Sequence, residues 1–101
     1  MKDVFDALAH PVRREILRLL RKRPMSAGDI ADQFDLAKPT LSGHFAVLKA
    51  AGLVTGKRKG TSIIYRLNLS VLEEAMAALM AIADIAAPQE KRGRQCASAR
   101  R

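Results

Sequence analysis

The chain has 101 residues, enough for one compact domain and too few for two. Hydrophobic residues make up 49 % and aromatic residues only 4 %, so a packed core must be built from Leu, Ile, Val, Ala and Met. Eighteen Lys and Arg against ten Asp and Glu give a net charge of +8, a balance that suits an anionic partner such as nucleic acid or an acidic membrane surface. A single cysteine, Cys96, excludes an internal disulfide. The longest uninterrupted apolar run, Ala75–Ala83, has nine residues, whereas a membrane span needs about 20. The N-terminal Met1-Lys2-Asp3-Val4 opens no signal-peptide hydrophobic region, so the expectation is a soluble, cytoplasmic protein.

In chain order, Val4, Phe5, Leu8 and Ala9 form a short apolar helical stripe, which His10-Pro11 interrupts. A second helix is predicted over Pro11–Lys22, with Val12, Ile16, Leu17 and Leu20 inward and Pro24 as its stop. Ser26-Ala27-Gly28-Asp29 is a capping signature for a third helix over Ala27–Phe34, with Ile30, Ala31 and Phe34 inward. After the break Asp35-Leu36-Ala37, a fourth helix is predicted over residues 38–51, with Leu41, Phe45 and Leu48 facing the core. Its opposite face carries Pro39, Gly43, Ala46 and Ala50, flanked by Thr40, Ser42 and Val47. Gly52 marks its end. Two strands follow, Leu53–Arg58 and Ser62–Leu67, joined by the turn Lys59-Gly60-Thr61. A last helix is predicted over Val71–Ile85, and the basic tail at 88–101 shows no periodicity and is expected to be disordered. The predicted fold is mainly α with a small β-hairpin: about five helices plus a two- or three-stranded wing in a single domain, residues 1–87.

Helix, turn and helix followed by a basic hairpin is a DNA-docking order. One helix enters the major groove, where base edges are distinguishable, and the hairpin lies beside it over the backbone. Lys57, Arg58 and Lys59 cluster at the hairpin tip, with Arg66 further along the second strand. The fourth helix has a small, polar, thinly charged outer face that permits close approach to base edges.

The last helix carries a second inference. From Leu72 to Ile85 its only charged residues are Glu73, Glu74 and Asp84. A surface helix should show a polar face, and a domain this small has too little mass to surround a terminal helix. Burial against a second copy is expected, with Val4, Phe5 and Leu8 completing an interface formed by Leu72, Ala75, Met76, Leu79, Met80 and Ala83. Such a dimer would present two reading helices roughly 34–36 Å apart.

Four segments together resemble the ArsR family of winged helix-turn-helix repressors. They are Phe5-Asp-Ala-Leu-Ala-His-Pro-Val-Arg-Arg-Glu-Ile-Leu17, Met25-Ser-Ala-Gly-Asp-Ile-Ala-Asp-Gln-Phe34, Lys38-Pro-Thr-Leu-Ser-Gly-His-Phe-Ala-Val-Leu-Lys-Ala-Ala-Gly-Leu-Val54 and Lys57-Arg-Lys-Gly-Thr-Ser-Ile-Ile-Tyr-Arg-Leu67. The resemblance spans residues 3–85 and is nearest to the SdpR-like branch of autorepressors encoded beside a membrane immunity protein. It implies a homodimeric repressor of double-stranded operator DNA that dimerises through its first and last helices. By position, the DNA contacts would come from Lys38, Pro39, Thr40, Ser42, Gly43 and His44, and the wing from Lys57, Arg58, Lys59, Gly60 and Thr61. It also implies a membrane immunity-type protein as a partner that sequesters the repressor.

Gly43 departs from the family pattern, in which Arg or His is common at that position. It offers no side chain, and glycine costs about 1 kcal/mol relative to alanine in a helix. The metal sites of the family need thiolates or imidazoles. The corresponding third-helix positions are Ser26 and Gly28, and Ser70–Ile85 contains no histidine. No metal or cofactor is expected, and no catalytic constellation is visible. Two other readings stay open: a protein-interaction module that uses its apolar last helix, and a sensor gated by an unnamed effector.

Overall fold

The computed structural model describes residues 1–85. In chain order its elements are α1 (Lys2–Leu8), α2 (Pro11–Lys22), β1 (Met25–Ser26), α3 (Ala27–Ala31), α4 (Lys38–Ala50), β2 (Val54–Lys59), β3 (Ser62–Leu67) and α5 (Leu69–Ala83). The tail at 88–101, with Cys96, lies outside the described residues.

Local chemistry explains most helix ends. His10 is extended, and its Nδ1 accepts the Val12 N–H at 3.1 Å, so His10 caps α2 while Pro11 occupies the first turn. Arginines of α2 reach back to the open carbonyl end of α1: Arg13 donates to the Asp6 and Ala7 carbonyls, and Arg14 to that of Leu8. Cationic donors at a helix C-terminus satisfy both the orphan carbonyls and the dipole. Ser26 Oγ accepts the Asp29 N–H at 3.1 Å and starts α3, as the sequence predicts. At the end of α4, Gly52 N–H binds Lys49 O and Leu53 N–H binds Leu48 O, with Gly52 at φ +80°. That is a Schellman ending, and it drops Leu53 into the core. The end of α5 repeats the pattern with Asp84 left-handed at φ +59°.

The core is continuous and, apart from the phenol of Tyr65, apolar among the described residues. Ile16, Leu17 and Leu20 of α2 meet Leu41, Phe45 and Leu48 of α4, with Ile30, Leu53 and Tyr65 between them. Val4 and Ala7 of α1 and Ala75 of α5 close it at one end. The expected inward faces of α2, α3 and α4 all point to this core, with Val12, Ala31 and Phe34 partly buried at its margin.

One point that the sequence reading left open, two strands or three, is decided by the fold, and three differences from it have clear causes. Met25–Ser26 forms a third strand, paired antiparallel with Tyr65 and Ile64, so the sheet order is β1-β3-β2. Two residues hold no alternation, and the pairing exists only because β3 runs alongside. Lys59 belongs to β2 and pairs with Ser62, which leaves a two-residue loop, Gly60-Thr61. Gly60 at φ +64° supplies the positive φ that such a tight hairpin needs at its first loop position. The α-helical part of α3 stops at Ala31; Gln33 and Phe34 continue it as tighter turns bonded to Ile30 and Ala31. Helix α5 sits two residues earlier than expected, because Asn68 is its extended N-cap and Asp84 turns left-handed at its end.

Two glycines should respond oppositely to the same substitution. A Cβ on Gly56 would stand 3.0 Å from Tyr65 Cε1 and 3.1 Å from Ile63 Cγ2, whereas one on Gly43 would meet nothing within 4 Å. Gly56→Ala is expected to lower the unfolding free energy by about 1–3 kcal/mol. Gly43→Ala should raise it by about 0.5–1 kcal/mol. Urea unfolding of the two variants measures both, and a shared sign would contradict this account of the packing.

Candidate nucleic-acid interface

The charges are segregated along the chain. From Leu36 to Leu72 there are six Lys or Arg residues and no Asp or Glu. That stretch folds into α4, the β2–β3 hairpin and the start of α5, so α4 and the hairpin carry no carboxylate of their own. Like-signed surface charges raise the local potential for an anion, and their effect extends over about a Debye length, 8–10 Å at moderate salt.

Ala37 is the extended N-cap of α4 and makes no side-chain cap bond, and Pro39 lies in the first turn. With Leu41, Phe45 and Leu48 buried, Lys38, Pro39, Thr40, Ser42 and Gly43 are exposed on the helix's open side. His44 differs from these. Its ring is half-buried and turns towards the α1–α2 junction, with its centroid 4.5 Å from that of His10 and its Nδ1 3.5 Å from Arg13 Nη1. Position 44 lies three residues after Leu41 and one before Phe45, so it borders the core-facing stripe. Burial holds the His44 pKa below its ordinary value of 6.5, and the charges of His10 and Arg13 push it the same way. The neutral imidazole is the form this arrangement favours.

Lys57, Arg58, Lys59, Gly60 and Thr61 are all exposed at the hairpin tip. The register divides them between faces. Val54, Gly56 and Arg58 oppose Leu67, Tyr65 and Ile63, whereas Thr55, Lys57 and Lys59 oppose Arg66, Ile64 and Ser62. Arg58 therefore shares the face of Tyr65, and Lys57 and Lys59 share the other with Arg66. Lys57, Arg58, Lys59, Ile64 and Arg66 line a shallow depression of about 260 Å³. Arg66 belongs to the same basic surface as the tip, which required the strand register to recognise.

One contact ties the two parts of this surface together. Phe45 of α4 stacks on Tyr65 of β3, with centroids 4.6 Å apart and planes 12° from parallel. Offset stacking of this kind adds about 0.5–1.5 kcal/mol beyond area burial.

The residues expected at a dimer contact divide into three groups. Val4 and Ala75 are buried in their own protomer's core, so neither is available at the surface. Phe5, Leu8, Leu72, Met76 and Met80 are half-buried. Leu79 and Ala83 are exposed, and so are Ile82 and Ile85, which the sequence reading did not single out. A helix that is apolar all round gives no sequence signal for which side its own domain covers. The docked side of α5 is the one that carries Ala75. No helix among the described residues is long and apolar enough to cross a membrane.

Comparison with known proteins agrees with this geometry. Residues 8–57 match a helix-turn-helix domain family. The transcriptional repressor SdpR of Bacillus subtilis (strain 168) is 45 % identical over 76 residues, which span 75 % of this chain and 84 % of that protein. The crystal structure of an ArsR family transcriptional regulator aligns with a TM-score of 0.77 at 25 % identity, covering 82 % of this chain and 91 % of the other. An ArsR-like transcriptional regulator from Rhodococcus sp. RHA1 aligns with a TM-score of 0.76 at 30 % identity, covering 82 % and 76 %. These relatives are transcriptional regulators, not enzymes. With the three-stranded wing, the helix-turn-helix and these likenesses in hand, the chain belongs to the ArsR family of DNA-binding, winged helix-turn-helix transcriptional repressors.

Proposed function

We propose that this protein is a homodimeric repressor that reads operator DNA with α4, grips the backbone with its wing and regulates its own promoter. The observation that carries the DNA-reading part is the acid-free stretch from Leu36 to Leu72, folded into α4 and a hairpin whose exposed residues include Lys57, Arg58, Lys59 and Arg66.

In this reading, Lys38, Thr40 and Ser42 present a cation and two hydroxyls to the DNA, while Pro39 and Gly43 keep the helix surface low. Hydroxyls bond base edges or phosphates without a bulky charge. Gly43 lets the helix backbone come closer to a base pair than any side chain would. His44 is omitted from the contact set, since its ring faces the protein. The wing supplies sequence-independent attraction: each phosphate neutralised releases counterions and steepens the salt dependence by about 0.9 in log–log slope.

The dimer reading is supported by unsatisfied apolar surface. Leu79 is 52 % exposed and Ile82 is 84 % exposed on α5. An open groove of about 520 Å³ between α2 and α5 has Leu8, Leu17, Leu67, Leu72 and Met76 among its lining. Arg14, Arg18, Arg21 and Glu73 rim the same groove, and apolar surface with a polar rim marks an interaction site. A twofold pair of protomers would carry two copies of α4 to half-sites on a palindromic operator. Resemblance to the SdpR-like branch adds a membrane immunity-type protein as the partner that relieves repression. Co-sedimentation of the repressor with vesicles carrying that protein tests this addition, and repressor left in the supernatant removes it.

Selection from genomic fragments, followed by footprinting, tests the core proposal. The expected result is a palindromic site, including one upstream of the protein's own coding sequence. Replacing Lys57, Arg58 and Lys59 by Ala should weaken binding and flatten its salt dependence by about 0.9 in slope for each phosphate no longer neutralised. An unchanged slope takes the wing out of the mechanism. The doubly substituted Leu79→Glu, Ile82→Glu protein should remain folded, because both side chains are already exposed, and light scattering should give the mass of one protomer. A wild-type protein that is itself monomeric at micromolar concentration would end the dimer reading.

A further inference from the structure

We propose that Arg13 is a positioning residue for DNA recognition: through the His44 ring it fixes the orientation of α4 against the C-terminal end of α1. The inference rests on the reading of α4 as the DNA-reading helix.

Arg13 makes three contacts with one planar group. Its Nε donates to Ala7 O at 2.9 Å, its Nη2 to Asp6 O at 3.1 Å, and its Nη1 lies 3.5 Å from His44 Nδ1. Two bonds to consecutive carbonyls of α1 fix the guanidinium plane, so the direction of the third N–H is fixed too. On its other side His44 meets the His10 ring, itself held by its cap bond to Val12 N–H. His44 is thus placed by two groups that cannot easily move.

The apolar core leaves a task for this contact. Leu41, Phe45 and Leu48 set how deeply α4 packs, but hydrophobic burial is non-directional. A hydrogen bond has a preferred angle and opposes small rotations. His44 directly follows Ser42 and Gly43, so a rotation of α4 that displaced His44 would re-aim both.

The contact also has a definite protonation state. Arginine has only donors, so a hydrogen bond here needs His44 Nδ1 as its acceptor, which the neutral ring with its proton on Nε2 supplies. Protonation would remove the acceptor and set a new cation beside Arg13 and His10. The charges acting on His44 are those of His10 and Arg13, and no carboxylate is among them. Asp6, the nearest acidic residue of α1 in sequence, pairs instead with Lys2 Nζ at 2.8 Å. The folded arrangement binds fewer protons at His44 than the unfolded chain, so it weakens as pH falls through and below the ordinary value of 6.5.

The test uses the duplex that wild-type protein selects from a randomised pool. The readout is its affinity divided by that for a scrambled duplex of equal length and salt, which cancels general charge effects. At pH 7.5, Arg13→Ala and His44→Ala should each lower the ratio about tenfold, and the double variant should fall little further, because the pair acts as one unit. His44→Asn places an amide oxygen near the position of Nδ1 and should stay within about threefold of wild type. Between pH 7.5 and 5.5 the wild-type ratio should fall and that of His44→Asn should hold. Additive losses, an unchanged ratio for Arg13→Ala, or identical pH profiles for wild type and His44→Asn would overturn the proposal. If Arg13→Ala does not fold, Arg13→Lys, which keeps the charge but not the three-way fork, decides with the same readout. Failure of wild type to select a duplex, or a ratio indifferent to Thr40→Ala and Ser42→Ala, overturns the α4 reading and this one with it. Loss in those variants without loss in the Arg13 series overturns only the positioning role.

Discussion

The stacked rings of Phe45 and Tyr65 join the two halves of the basic surface. Phe45 lies on α4 and Tyr65 on the central strand of the sheet, so the angle between helix and wing is set where the rings meet. Several features follow from that contact. Gly56, opposite Tyr65, could take a Cβ only if the Tyr65 ring and Ile63 shifted. Met25 pairs with Tyr65 from the other edge and creates the third strand. The chain that links α2 to α3 is thereby pinned to the wing. Helix and wing are each too small to hold an orientation alone, and the contact between them supplies that rigidity.

Charge is organised around the same framework. The core contains no charged side chain among the described residues, so it supplies stability without directing electrostatics. Acidic residues fall at Asp3, Asp6, Glu15, Asp29, Asp32 and Asp35 and resume at Glu73, which leaves α4 and the hairpin purely basic. Net charge alone would attract any polyanion. The separation along the chain gives α4 and the hairpin a charge of one sign.

The remaining elements connect α4 and the hairpin to the rest of the molecule. Helix α1 has only seven residues and would be unstable alone. Its carbonyl end is held by Arg13 and Arg14, and one of these continues to His44 on α4. Helix α5 anchors through Ala75 and leaves Leu79, Ile82 and Ile85 uncovered. Polar bonds thus hold α1 to α2 and α4, while α5, which closes the same end of the core as α1, keeps apolar side chains uncovered.

The sequence by itself determined the helix order, the inward faces of α2, α3 and α4, the Ser26 cap, the basic hairpin and its second strand. Each rests on neighbours within one or two turns, where period and capping chemistry act directly. Tertiary structure decided the rest. The two-residue strand at Met25–Ser26 depends on a partner nearly forty residues away in the chain. The face shared by Lys57, Lys59 and Arg66 depends on the register across the hairpin. The side of α5 that docks could not be read from a helix apolar all round, so Val4 and Ala75 fell to the core while Ile82 was left outside. His44 borders the core-facing stripe of α4, and its spacing left both sides open to it; its ring turned inward because the packing of α2 brought His10 and Arg13 beside it.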